Sequence, residues 1–441
     1  MKTLEKRSFS PRARGDQIPA KAGTCLKSFV SRITYHVSLL FALHASLFTL
    51  TAQVKTGADL LVPKYFHLIE GKRIGLVTNH TGRLANGIFL ADALHANSAI
   101  KIVALFGPEH GIRGDAPDGA KMSDTIDAAT GVPAFSLYGK INKPTPEMLK
   151  NIDVLMYDIQ DIGARFYTYI STLSYAMEAA AEAGIPFLVL DRPNPIRGLG
   201  VEGFIREDSL RTFVGLHPIP ISHGMTTGEL ATLFNEEGWL ANGVKARLTV
   251  LRMEGWERTM WYDETDLPWI PPSPNMKHLS TAVVYPGMCL IEGTNLSEGR
   301  GTERPFEMIG APFVRGEVLA RQLNDAHLPG VVFDPIEFTP KSDPRSAPRP
   351  KHMDQVCGGV LIRVVGRDSF EPVRTGIYVL SAVRRLFPDD FKWRIGGIDR
   401  LAGTKELRQS IDAGVHPDKI VEAWGDQLGA FKKLRMRYLL Y

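Results

Sequence analysis

Glu109, His110, Arg113, Asp115 and Asp118 crowd into the stretch behind the apolar run Ile102–Phe106, with Gly107 and Pro108 marking the break. Charge set directly behind a buried strand is costly unless it is paired or used. Paired, these residues make a capped turn with surface ion pairs. Used, they suit acid–base chemistry. Cleaving a glycosidic bond needs a protonated acid for the leaving oxygen and a second group on the other face of the sugar. A carboxyl serves as that acid near neutral pH only where desolvation or a neighbouring negative charge raises its pKa. Glu109, fixed behind Pro108, is placed for that part. Asp158 and Asp161, behind another apolar run, are candidates for the second group, although Asp161 would equally serve as N-cap of the helix that follows. His110 and His223 are placed either to bond sugar hydroxyls and orient Glu109 or to act as buried structural histidines.

Positioning these groups falls to short apolar runs that alternate with amphipathic segments. The runs Arg73–Val77, Ile102–Phe106, Val132–Leu137, Val154–Tyr157, Pro186–Leu190 and Ile219–Ser222 read as strands. Between them Arg165–Ala183 keeps helical spacing through Phe166, Ile170, Leu173 and Met177, with Gly184 as its stop. That rhythm predicts an α/β fold with a doubly wound parallel sheet. Five of the runs end in polar groups: Asn79 and His80; Glu109 and His110; Asp158, Gln160 and Asp161; Asp191, Arg192 and Asn194; and His223. In a parallel sheet those ends share one edge, where ligands bind. Beyond about residue 240 the rhythm loosens. Strands are expected at Ala282–Ile291, Val331–Phe338 and Gly358–Val365, and helices at Glu317–Ala326, Thr375–Phe387 and Val421–Tyr438. The expected organisation is a targeting segment over 1–52, a first domain over 53–240, and a second α/β domain over 241–441 closing the cleft.

A second dense stretch, Glu292 to Glu307, sets four carboxylates and two arginines among three glycines. It is either an exposed charged loop or a set of tight turns that aim side chains, with Arg300 or Arg304 able to clamp a carboxylate. Gly198, Gly200 and Gly203 spell GxGxxG, but Pro193 and Pro195 interrupt the approach and no helix opens behind it, so a dinucleotide site is not expected. Metal-ligand spacings are absent from the sequence, and Arg113-Gly114-Asp115 reads as turn chemistry. Residues 1–36 carry a net +6, which leaves −2 for the rest of a +4 chain and argues against nucleic-acid binding. The basic head precedes the uncharged run Val37–Ala52, the pattern of an export signal and short for a membrane span of ~20 residues. Export is therefore expected, to the periplasm or the outside, with the segment either cleaved, leaving no stable membrane insertion once the signal is removed, or kept as an anchor. Cys289 and Cys357 would permit one disulfide without demanding it.

Taken in order, GLVTNHTG (75–82), LFGPEHGIRGDAPDG (105–119), DIQDIGARFYTYISTL (158–173), LDRPNP (190–195), HGMTTGELA (223–231), PPSPNM (271–276), EGTNLSEGRGTERPFE (292–307) and YLLY (438–441) resemble the NamZ-type exo-β-N-acetylmuramidases of bacterial cell-wall turnover, glycoside hydrolase family 171. The resemblance implies a Rossmann-like domain that binds no nucleotide, a C-terminal α/β domain, and an active site in the cleft between them, with no cofactor or metal. It implies release of terminal N-acetylmuramic acid from the non-reducing ends of peptidoglycan fragments, with Glu109 as the catalytic acid. By the same resemblance Asn79, His80, His110, Arg113, Asp161, Arg165, Tyr167, Arg192, Asn194, His223, Asn275, Glu292, Asn295, Glu298, Arg300 and Glu303 would line the sugar pocket. The lactyl carboxylate of muramic acid would find its partner among Arg113, Arg165, Arg192, Arg300 and Arg304.

Overall fold

The computed structural model describes residues 53–114 and 124–441; the expected targeting segment, Asp115 and Asp118 lie outside the described residues. Strands run β1 (Arg73–Thr78), β2 (Lys101–Gly107), β3 (Thr125–Ile126), β4 (Pro133–Ser136), β5 (Val154–Asp158), β6 (Pro186–Leu190), β7 (Arg247–Leu251), β8 (Met308–Ala311), β9 (Val331–Phe338) and β10 (Cys357–Val364). Helices are α1 (Gly57–Tyr65), α2 (Leu90–His95), α3 (Pro146–Leu149), α4 (Tyr169–Glu182), α5 (Thr227–Glu236), α6 (Leu279–Met288), α7 (Gly316–Asn324), α8 (Pro372–Leu386), α9 (Ile395–Ala402), α10 (Glu406–Asp412), α11 (Pro417–Ala423) and α12 (Gly425–Arg435).

The first sheet is ordered β3-β4-β2-β1-β5-β6-β7, parallel throughout except for the short edge strand β3. Both faces are covered. Val77, Phe106, Tyr157 and Val189 pack into one apolar cluster, and Ile74, Leu76, Leu105, Met156 and Leu190 into another. This is why the strands read as unbroken apolar runs. The chain runs outward from β1 on one side and then returns to start β5 on the other, so the topological switch lies between β1 and β5. The second sheet, β8-β10-β9, is antiparallel and packs on α7, which in turn packs on α8. Its Phe333 and Val360 belong to the same cluster as Val77, so apolar packing is continuous between the two halves. Among the described residues no helix is long and apolar enough to cross a membrane.

Three of the expected elements differ. Ile219–Ser222 is not a strand: Ser222 makes only isolated bridges, to Ala164 and Glu202. The sheet is completed instead by β7, which carries it past residue 240. Ala282–Ile291 is mostly the helix α6, and every residue from Thr281 to Met288 is buried. A helix enclosed on all sides has no apolar stripe, so its run of Val and Tyr mimics a core strand. Gly287 of α6 meets Gly376 of α8 so closely that a Cβ on Gly287 would fall 1.8 Å from the Pro372 carbonyl oxygen. Lastly, Val421–Tyr438 divides into α11 and α12. Cys289 and Cys357 are buried free thiols.

A clasp joins distant parts of the chain. The Tyr441 hydroxyl donates to Asp191 Oδ2 (2.8 Å) and accepts from the Met253 amide (2.8 Å), while its ring meets Trp256 edge-on. Arg435 donates to the Gly198 and Gly224 carbonyls nearby. Asp191 caps α5 by accepting from Thr226 Oγ1 and the Gly228 amide. Burial raises its carboxyl to about 6, with Gly228 and Thr226 pulling it back.

Candidate active site

At the carboxyl end of β2 the chain turns sharply away from the sheet. His110 (φ 71°) and Gly111 (φ 72°) both take the left-handed conformation, and the Gly111 amide donates to the Pro108 carbonyl (3.0 Å). For histidine that conformation costs about 1–2 kcal/mol, a strain of the sort found at functional sites. The turn leaves Glu109 half-buried, accepting from Thr168 Oγ1 (3.3 Å), just before α4.

Glu109 and His110 form one wall of a cleft of ≈ 760 Å³, its open mouth included. Phe166, Tyr167 and Thr168 come from the β5–α4 connection and Tyr169 from the first turn of α4; Ser273 and Met276 from the proline-rich loop; Tyr285 and Cys289 from α6 and the turn behind it. Glu292, Arg300 and Phe306 complete it. The rings pack edge to face: Tyr167 on Tyr169 (4.9 Å), Phe166 on Tyr285 (5.5 Å) and Tyr285 on Phe306 (4.7 Å). Aromatic walls interleaved with a comparable share of polar groups suit a sugar, which offers C–H faces and hydroxyl edges.

The charge in the cleft is small and specific. Among the described residues its charged lining is Glu109, Glu292 and Arg300. Arg300 donates from Nε (3.0 Å) and Nη2 (2.8 Å) to Glu292 Oε1 and lies 5.2 Å over the Phe306 ring. Cys289 Sγ sits 3.9 Å from Glu292 Oε2, and burial pushes its thiol well above the usual range.

Of the residues expected to line a sugar pocket, the cleft gathers Glu109, His110, Tyr167, Glu292 and Arg300. The others have different places. Asp158 is fully buried, with Arg192 Nε 2.6 Å from Oδ1 and Nη2 2.9 Å from Oδ2. Burial raises its carboxyl and the guanidinium pulls it back. A Cβ on Gly82 would fall 2.9 Å from Asp158 Oδ2, so the switch point, where such folds hold nucleotides, is plugged by the protein's own groups. As second catalytic group Asp158 is therefore badly placed: it is sealed and it is not part of the cleft lining.

Asp161 accepts from the Gly163 amide (2.8 Å), so it closes a turn and does not cap α4; His223 Nε2 is 3.5 Å away from it. Asn79 accepts from Thr81, and His80 contacts the Pro271 carbonyl (2.8 Å). Asn194 bridges the Met225 carbonyl and the Ile196 amide. Arg113 is divided between Asp92 and Asp127. Arg165 is buried and donates to the carbonyls of Phe204, Ile219 and Leu401, tying the first sheet to α9; burial lowers its pKa to about 9. Asn275 bonds the Ser346 carbonyl, and Asn295 the 390–392 segment. Glu298 meets Lys351 (2.9 Å). Glu303 is exposed beside Lys277, and Arg304 pairs with Glu307.

Sequence reasoning overlooked Thr168, Phe166, Tyr169, Tyr285, Cys289 and Phe306. The run Arg165-Phe-Tyr-Thr-Tyr169 held a usable signal, since its three rings lead into the start of a helix. Tyr285 was hidden by the mistaken strand.

The chain is similar to known proteins over most of its length. A family model described as exo-beta-N-acetylmuramidase NamZ, N-terminal, matches residues 74–280, and its C-terminal counterpart matches 283–441. The peptidoglycan beta-N-acetylmuramidase NamZ of Bacillus subtilis (strain 168) is 50% identical over 390 residues, covering 88% of this chain and 92% of that protein. Two crystal structures of DUF1343 family proteins from Bacteroides fragilis NCTC 9343 share the fold, with TM-scores of 0.81 and 0.74 at 41% and 36% identity. Each covers 88% of this chain and 99% of its own.

Proposed function

The chain belongs to the NamZ family of exo-β-N-acetylmuramidases, and we propose that Glu109 is the acid with which this peptidoglycan β-N-acetylmuramidase releases terminal N-acetylmuramic acid from non-reducing ends. The observation that carries the assignment is the position of Glu109. It is held half-buried by a strained turn, at the wall of an aromatic cleft. A proton given from there to the bridging oxygen lets the C1–O bond break with its electron pair on the leaving sugar. Of the arginines weighed for the lactyl carboxylate, Arg300 lines the cleft, while Arg113, Arg165, Arg192 and Arg304 are engaged elsewhere; Arg300 is its partner in this reading. The rings of Tyr167, Tyr285 and Phe306 pack against the pyranose.

The basic head and apolar run before Gln53 support export to the compartment where peptidoglycan lies. Incubation of the purified protein with a muramic acid–glucosamine disaccharide, without added cofactor, tests the reading. Free N-acetylmuramic acid is the expected product, and Glu109→Gln should abolish its release while keeping much of the binding. An unchanged disaccharide, or a fully active Glu109→Gln, would overturn the assignment.

A further inference from the structure

With Asp158 sealed against Arg192, the second group of the reaction must come from elsewhere. Among the described residues Glu292 is the other carboxylate in the cleft lining. We propose that Glu292 is the carboxylate that faces the anomeric carbon, held in place by Arg300 and Cys289; this rests on the glycosidase reading above. The competing acids are excluded by position. Asp161, which accepts from the Gly163 amide, and Asp191, which caps α5, do not line the cleft. Glu298 is taken by Lys351, and Glu307 by Ser280 and Thr281.

Glu292 is built differently from those. Two guanidinium N–H groups hold Oε1, and Oε2 has the polarisable Cys289 sulfur beside it. The side chains of Glu292 and Arg300 are 29% and 24% exposed, so the pair meets the cleft while the backbone behind it is buried. Ion pairs that wet contribute about 0–1 kcal/mol to stability, so folding alone gives little reason for this one.

In the step itself the C1–O bond breaks, its electron pair leaves with the oxygen, and that oxygen takes the proton of Glu109. The positive charge left on C1 and the ring oxygen faces the Glu292 carboxylate. A water then bonds C1 through its oxygen and gives a proton to the Glu109 carboxylate, which restores the acid. Arg300, which binds the lactyl carboxylate in the reading above, also holds Glu292, and Cys289 acts through Glu292 as a positioning residue for this step.

The test is steady-state kinetics of the wild type, Glu292→Gln and Glu292→Asp on the disaccharide, with melting curves and calorimetric binding of N-acetylmuramic acid as folding controls. Loss of a charge that stabilises the transition state should lower kcat by about 10²–10³-fold in Glu292→Gln, with KM moving much less. Glu292→Asp keeps the charge but withdraws it by one methylene, and should fall between the two. A KM rise at unchanged kcat would make Glu292 a binding residue only and overturn the inference. So would full activity in Glu292→Asp if the glutamine variant failed to fold. An inactive wild type sinks the glycosidase reading as well, whereas an active wild type with an active Glu292→Gln sinks this inference alone.

Discussion

The carboxyl ends of β2 and β5 look alike in sequence, an apolar strand running into an acid, and they have opposite fates. β5 is central: β1 on one side sets Thr78 beside Asp158, and the chain leaving β6 on the other brings Arg192. Its acid is buried where it stands and becomes structural. β2 is flanked by β1 and the short β4, and the left-handed turn at His110 and Gly111 leads the chain off the sheet. Its acid stays at the cleft. What separates the two acids is burial: Asp158 is fully enclosed with Arg192, whereas Glu109 is half-buried on the cleft wall.

Four measurements break or sharpen that contrast. Glu109→Gln should cost about 10²–10⁴-fold in kcat while leaving the urea midpoint within error; a matching loss of stability would make the two ends equivalent after all. Asp158→Asn leaves Arg192 buried and unpaired, which should cost about 3–5 kcal/mol in urea unfolding. The activity per folded molecule should hold, and a collapse of kcat in folded protein would return Asp158 to the chemistry.

Asp191 tests the buried edge by pH. Its folded pKa of about 6 lies above the unfolded carboxyl value, so the native state binds the extra proton and stability falls as pH rises through that interval. Between pH 4 and pH 7 the wild type should lose about 1–3 kcal/mol relative to Asp191→Asn; parallel stability curves would refute the linkage. The smallest effect is expected at Thr168→Val, which removes the hydroxyl bonded to Glu109. A net hydrogen bond of about 1 kcal/mol predicts a kcat lower by about fivefold with stability nearly unchanged.

The first sheet was legible because both its faces are covered and its strands are bounded by Gly, Pro and polar residues. The same logic failed at α6, where burial on every side erased the helical period, and at Ile219–Ser222, an extended segment that only bridges. Glu109, His110 and Arg300 could be named in advance from their types and positions, and Tyr167 and Glu292 through the family resemblance. Their partners could not. Whether Arg192 meets a substrate or Asp158, and whether Arg113 meets a lactyl group or Asp92 and Asp127, depends on contacts between residues 14 to 34 positions apart. The aromatic walls were hidden for a related reason, because Phe166 and Tyr285 converge only through tertiary packing.

The Tyr441 hydroxyl on Asp191 sets a timetable for synthesis. The two residues are 250 positions apart, an interval on the order of 10–50 s at ribosomal speeds of 5–20 residues per second. Throughout that time Asp191, at the end of a nascent β6, has Thr226 and Gly228 for partners, and its last hydrogen bond waits for Tyr441.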